Sequence, residues 1–230
     1  MLWQSIVDFE AGPESLMKRK TPPTKTYKRE AKRQKKTVPL TRMVNTVRGG
    51  PELKNFDTQQ TLSVPLAGTF VRSTLLNAVP QGLTANTRIG RKMRMTQLVL
   101  RWEYVMNAGI GGGPCRIKIF YDKQASGSTP TATDVLEIDN FLGQNNLAQA
   151  DRFVTLLDMI TPPLSTANNL AVGGVEKRSF DLEQLWSGAA TGTAADVITG
   201  SIWLMAWNTG TNATAAPILN CTTRIRYLDN

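Results

Sequence analysis

Ten of the twenty residues at positions 17–36 are Lys or Arg: Lys18, Arg19, Lys20, Lys25, Lys28, Arg29, Lys32, Arg33, Lys35 and Lys36. One, Glu30, is acidic. Cations at this density repel one another and have little apolar surface to bury, so the stretch is expected to be a solvated, flexible arm. Its chemistry is neutralisation. Lys and Arg displace condensed counterions from a polyphosphate backbone, which gives affinity without base readout and a steep dependence on salt. Pro22 and Pro23 block a continuous helix at its start. The clusters at 18–20 and 28–36 also suit the nuclear import machinery. Rival readings are a solubilising tail and a tether to anionic membrane, and the second lacks the apolar face it needs.

A second basic group, Arg88, Arg91, Lys92 and Arg94, falls where a loop enters a strand. It either extends a nucleic-acid surface or is an ordinary solvated loop. Catalytic chemistry has little to stand on. The chain has no histidine, which removes the usual general base and the commonest zinc ligand. Asp122, Asp134, Glu137, Asp139, Asp151 and Asp158 show neither the spacing of a calcium loop nor a pairing at catalytic distance. Cys115 and Cys221 have no metal-type spacing, and a disulfide between them is not indicated. The expectation is a protein that is not an enzyme and holds neither metal nor cofactor.

Charge is distributed in blocks. Residues 1–16 carry Asp8, Glu10 and Glu14 and no base, hence −3; residues 17–48 carry twelve bases and one acid, hence +11; residues 49–230 carry fifteen bases and fourteen acids, hence +1. Together they make the formal net charge of +9. A nearly neutral body with all of the excess in one arm is the signature of a packed domain plus an electrostatic tether. The boundaries follow: an acidic extension at 1–16, a basic arm and linker at 17–51 ending on Gly49-Gly50-Pro51, and a folded domain at 52–230. Met17 is itself a plausible start, which would make the first sixteen residues an extension. No run of eighteen apolar residues occurs, so no membrane insertion is expected, and the N-terminus lacks the features of a secretory signal.

The elements that carry these groups read as strands. Period-two alternation marks residues 52–66, with Pro65 at the end. It is clearest where Leu98, Leu100, Trp102, Tyr104 and Met106 point one way and Val99, Arg101, Glu103 and Val105 the other. Cys115, Ile117, Ile119 and Tyr121 alternate next, after a Gly-rich turn, so the two read as neighbouring antiparallel strands. Further strands are expected at 153–160, 176–182, 197–207 and 219–228, with one short helical stretch after Asp134 and Gly173-Gly174 as turn chemistry. Such a chain is all-β, a sandwich or barrel. Residues 197–207 are apolar on both faces, with Trp203, Met205 and Trp207 on the second. Either loops or another subunit must cover that face, and Trp203 and Trp207 are therefore candidate subunit-interface residues.

Three stretches carry a resemblance: Thr87-Arg88-Ile89-Gly90-Arg91-Lys92; residues 116–124, Arg-Ile-Lys-Ile-Phe-Tyr-Asp-Lys-Gln; and residues 151–158, Asp-Arg-Phe-Val-Thr-Leu-Leu-Asp. With the basic arm and Gly-Pro linker, they resemble the single jelly-roll capsid proteins of small circular single-stranded DNA viruses, whose domain is in turn similar to that of satellite plant virus coats. The likeness covers most of residues 17–230. It implies a single eight-stranded jelly-roll sandwich with a disordered basic arm. It also implies a homo-oligomeric icosahedral shell of about sixty copies, a single-stranded DNA genome as partner, and location in the virion and, during assembly, the host nucleus. About sixty arms would place about 660 positive charges inside such a shell, which only nucleic acid could neutralise. The alternative is a cellular lectin-like jelly-roll module with a basic nuclear-targeting tail.

Overall fold

The computed structural model describes residues 52–64, 70–105, 113–125, 127–164, 171–209 and 216–229. The acidic extension, the arm and its cations, the linker and Met106 lie outside the described residues. Nine strands follow in order: β1 (Glu52–Ser63), β2 (Phe70–Leu75), β3 (Lys92–Val105), β4 (Cys115–Asp122), β5 (Phe153–Ile160), β6 (Ala171–Trp186), β7 (Val197–Thr199), β8 (Ser201–Asn208) and β9 (Ile218–Asp229). Among the described residues one α-helical turn, α1 (Ala132–Val135), lies between β4 and β5.

The strands form two antiparallel sheets, β1-β9-β3-β6-β7 and β2-β8-β4-β5. First pairs with last, β1 on β9, and the pairs nest inward as β2 on β8, β3 on β6 and β4 on β5. Rolling a long nested hairpin so that alternate pairs fall in alternate sheets produces a jelly roll. Eight strands make the roll, and the three-residue β7 extends one edge.

Alternation decides which side chains meet between the sheets. In β3, Met93 and Met95 are buried, and then Leu98, Leu100 and Tyr104. The phase changes from odd to even because Thr96 is an extra residue against β9, and β6 carries an extra residue of its own at the same point. These side chains pack with Ile117, Ile119, Leu204, Ile225 and Tyr227 in one core, each large side chain contributing roughly 1.5–3 kcal/mol by leaving water.

Three expectations are corrected. β3 and β4 are not neighbours: β3 is flanked by β6 and β9 and β4 by β5 and β8, so the two lie in different sheets. Gly173 and Gly174 do not turn the chain; they lie within β6, where a Cβ on Gly173 would come within 2.8 Å of the Trp102 carbonyl and one on Gly174 within 3.1 Å of the Trp102 ring. Their missing side chains let β6 approach β3 closely. Residues 197–207 are not one strand. Gly200, at φ 83°, divides β7, in the larger sheet, from β8, in the smaller.

All eight residues of β8 are buried. Ile202, Leu204 and Ala206 face the core between the sheets. Trp203, Met205 and Trp207 face outward, where Phe120, Ala132, Val135, Leu136 and Phe141 cover them in a second cluster. The interface reading of Trp203 and Trp207 is therefore corrected as well. The chain covers this face with its own 132–141 segment, and the two indoles are 3% and 0% exposed.

Candidate nucleic-acid interface

Of the sequence-predicted cations, those of the arm lie outside the described residues, and the second basic group divides. Arg88 is buried. Its guanidinium lies 4.4 Å over the Trp186 ring and donates to the carbonyls of Val79, Gly90 and Ala189. Burial lowers its pKa, with the carboxylates of Asp196 and Asp229 opposing. Arg88 thus ties two loops together and presents nothing to a phosphate, which corrects its reading as a nucleic-acid contact. Lys92 and Arg94 are exposed but paired, Lys92 with Glu183 at 2.9 Å and Arg94 with Asp181. Arg91 is exposed and lies against Gly188, where a Cβ would stand 2.9 Å from its Nε. The structure therefore brings three of these four side chains to the surface, with little uncompensated charge. Sequence reading missed the cations of β3, β6 and β9, which only strand pairing brings together.

Three partly buried ion clusters position the loops around the sheets. Asp229, near the end of β9, accepts from Lys54 Nζ at 2.9 Å and from the N–H groups of Ile89 and Gly90 at 2.7 and 3.3 Å; Lys54 also donates to the Thr87 carbonyl. Arg116 and Lys118 of β4 share Asp158 of β5: Arg116 grips both carboxylate oxygens at 2.8 and 2.7 Å, and Lys118 donates to one at 2.8 Å. Arg116 also donates to the carbonyls of Phe141 and Gly143, and Lys118 to Asn145, so this cluster pins the segment that covers Trp207. Arg152 grips Asp122 with two bonds of 2.8 Å and lies over the Phe153 ring.

Burial pushes the pKa of Asp158 up, but the hydrogen bonds from Arg116 and Lys118 outweigh it and hold the carboxyl below its usual range. Burial likewise opposes, and the bonds from Lys54, Ile89 and Gly90 likewise outweigh it, at Asp229. The unfolded chain protonates these groups near 3.8, the folded chain at lower pH. Their contribution to stability is therefore present above about pH 4 and lost as pH falls through the depressed folded values. Thermal unfolding followed from neutral to acid pH should show a nearly constant Tm above that point and a steep fall below it, and Asp158→Asn should flatten the fall.

Cys115 and Cys221 are free, buried thiols. Burial raises their pKa values to about 12 and about 11, the neighbouring Cys221 adding to the shift at Cys115. Both are therefore inert packing groups at neutral pH. Among the described residues no group of three Asp, Glu or Cys side chains comes together to hold a metal ion.

The Satellite tobacco necrosis virus coat protein family model matches residues 24–230. This chain belongs to that family. The family is one of viral coat proteins. Similar to it is the coat protein of Maize white line mosaic Satellite virus, 31% identical over 119 residues, which cover 50% of this chain and 55% of that protein. The chain thus spans little more than half the length of the curated relative it matches. Among solved structures, Desmodium yellow mottle tymovirus is similar at 14% identity and TM-score 0.31 over 100% of this chain and 96% of that one. The empty head of Turnip yellow mosaic virus is similar at 10% identity and TM-score 0.37, over 94% and 90%.

Membership of the satellite tobacco necrosis virus coat family overturns the assignment to small circular single-stranded DNA viruses, and with it the ground for a DNA genome. It also removes the ground for the cellular lectin-like alternative. The three stretches behind that assignment carry the groups of the ion clusters: Thr87, Arg88, Ile89 and Gly90 in the first, Arg116, Lys118 and Asp122 in the second, Arg152 and Asp158 in the third. Such residues stabilise the corners of a roll.

Proposed function

We propose that this satellite virus coat protein self-assembles into a small icosahedral shell, most simply of about sixty copies, and packages a single-stranded RNA genome through the Lys/Arg-rich arm at residues 17–48. The observation that carries the reading is the partition of charge, +11 in the arm against +1 in the domain. A wall of nearly neutral subunits can associate without self-repulsion, while the arms supply the counterions of a polynucleotide. The family's coat proteins belong to a satellite RNA virus, which supports RNA as the cargo. Leu83, Ile138, Leu142 and Leu147 are exposed at 91%, 61%, 73% and 76% and supply apolar contact points for neighbouring copies. Host nuclear location rests only on the two basic clusters, and the packaging reading already accounts for their charge.

Sedimentation velocity of the recombinant protein, with absorbance at 260 and 280 nm followed across the boundary, tests the reading. A fast particle rich in nucleic acid is expected. A slow species free of nucleic acid in buffer of moderate ionic strength would overturn it.

A further inference from the structure

Strand pairing brings four cations to the outer face of the larger sheet. Arg224 and Arg226 stand two residues apart on β9, and all of Arg101, Lys177, Arg224 and Arg226 are exposed. The register places Arg224 opposite Val99 and Val99 opposite Lys177, with Arg101 opposite Thr222 one step along. The four line one open groove of about 340 Å³, with Val99 at its floor. Its one lining acid is Asp57, which takes both carboxylate bonds from Arg224 at 2.7 and 2.6 Å. Arg226 makes one long bond, 3.3 Å, to Asn55. Among the described residues Arg101 and Lys177 have no ion-pair partner. Elsewhere on this sheet the exposed cations Lys92 and Arg94 are neutralised by Glu183 and Asp181. The uncompensated charge is therefore local, in a domain whose total is +1.

We infer that this groove binds the sugar–phosphate backbone of single-stranded nucleic acid, as a second contact beyond the arm. The inference rests on the packaging reading. Residues two apart on a strand lie about 7 Å from each other on one face, a spacing comparable to that of successive phosphates in a polynucleotide. The groove lining includes no aromatic ring on which a base could stack, so the contact is ionic and indifferent to sequence. A protein partner would meet a different surface. The centres of protein interfaces are depleted in charge and apolar, whereas here only Val99 interrupts polar and charged side chains.

The test uses the full chain and poly(U), with binding measured across a salt series. Each phosphate contact on a single strand contributes a slope of about −0.7 to log K against log [salt]. Replacing Arg101, Lys177 and Arg226 together by Gln should make the slope shallower by about 2. Lys92→Gln with Arg94→Gln, on the same sheet but already paired, should leave it unchanged. Matching thermal unfolding of the variants establishes that they are folded. An unchanged slope in the triple variant overturns the inference, and loss of sedimenting particles beside that unchanged slope assigns the face to a protein contact instead. An equal change in the Lys92/Arg94 variant also overturns it, because total charge and not this groove would then govern binding. A parallel arm variant with Gln at Lys28, Arg29, Lys32, Arg33, Lys35 and Lys36 separates the two readings. If it alone loses slope, packaging by the arm stands and the groove does not; if neither variant does, both fail.

Discussion

Particles formed with Gln in place of Lys28, Arg29, Lys32, Arg33, Lys35 and Lys36 should lose most of their RNA, with the 260/280 nm ratio of the sedimenting boundary falling toward that of protein alone. The substitution removes six of the arm's cations and lowers its net charge from +11 to +5. At about −0.7 per contact, six contacts account for a slope of about 4 in log K against log [salt]. Affinity at physiological ionic strength therefore falls by orders of magnitude. The groove of the domain cannot make up the difference, since its three uncompensated cations contribute a slope of only about 2. Full RNA content in this variant would show that the arm is not the packaging element. Lys in place of each Arg should restore content, since counterion displacement depends on charge and not on guanidinium geometry.

The second large effect concerns the wall. Gly200→Ala should destabilise the domain by about 2–5 kcal/mol, from roughly 1–2 kcal/mol for a left-handed residue with a Cβ and a further 1–3 for overpacking. At φ 83°, a Cβ there falls far inside van der Waals contact distance of the Glu183 carbonyl oxygen and within 2.9 Å of Gln184 Cα and the Tyr121 hydroxyl. None of these can yield cheaply. Glu183 and Gln184 are backbone of β6 held in register against Arg94 and Met93 of β3, and Tyr121 spans the two sheets to donate to the Glu183 carbonyl at 2.6 Å. Gly127→Ala is the control. It shares a positive φ, 73°, but meets nothing nearer than Ala195 Cα at 3.7 Å, so its cost should stay near 1–2 kcal/mol. Denaturant midpoints of the two variants separate the contributions, and equal losses would refute the crowding argument.

Pattern and charge are local properties of a chain, and what depended on them was legible. Alternation in residues 98–104 and 115–121 showed strands, and the concentration of ten cations at 17–36 was plain as charge, its role as a polyanion-binding arm standing as a proposal. What depended on partners was not. Alternation says that a residue faces inward without saying which strand lies beside it, so β3 and β4 read as neighbours although they lie in different sheets. Arg88 and Arg91 look alike in sequence, yet one is enclosed by three carbonyls and an indole and the other is exposed. The cover over Trp203 and Trp207 comes from residues 132–141, some sixty positions away in the chain. The cationic groove draws on β3, β6 and β9, separated by many tens of residues. The sequence by itself determined that this protein has an all-β domain preceded by a dense block of Lys and Arg, because hydrophobic period and charge density act within a few residues. Only the tertiary structure decided which cations are free, which aromatics are covered and where the chain changes sheet, because burial and ion pairing are set by neighbours brought together across the roll.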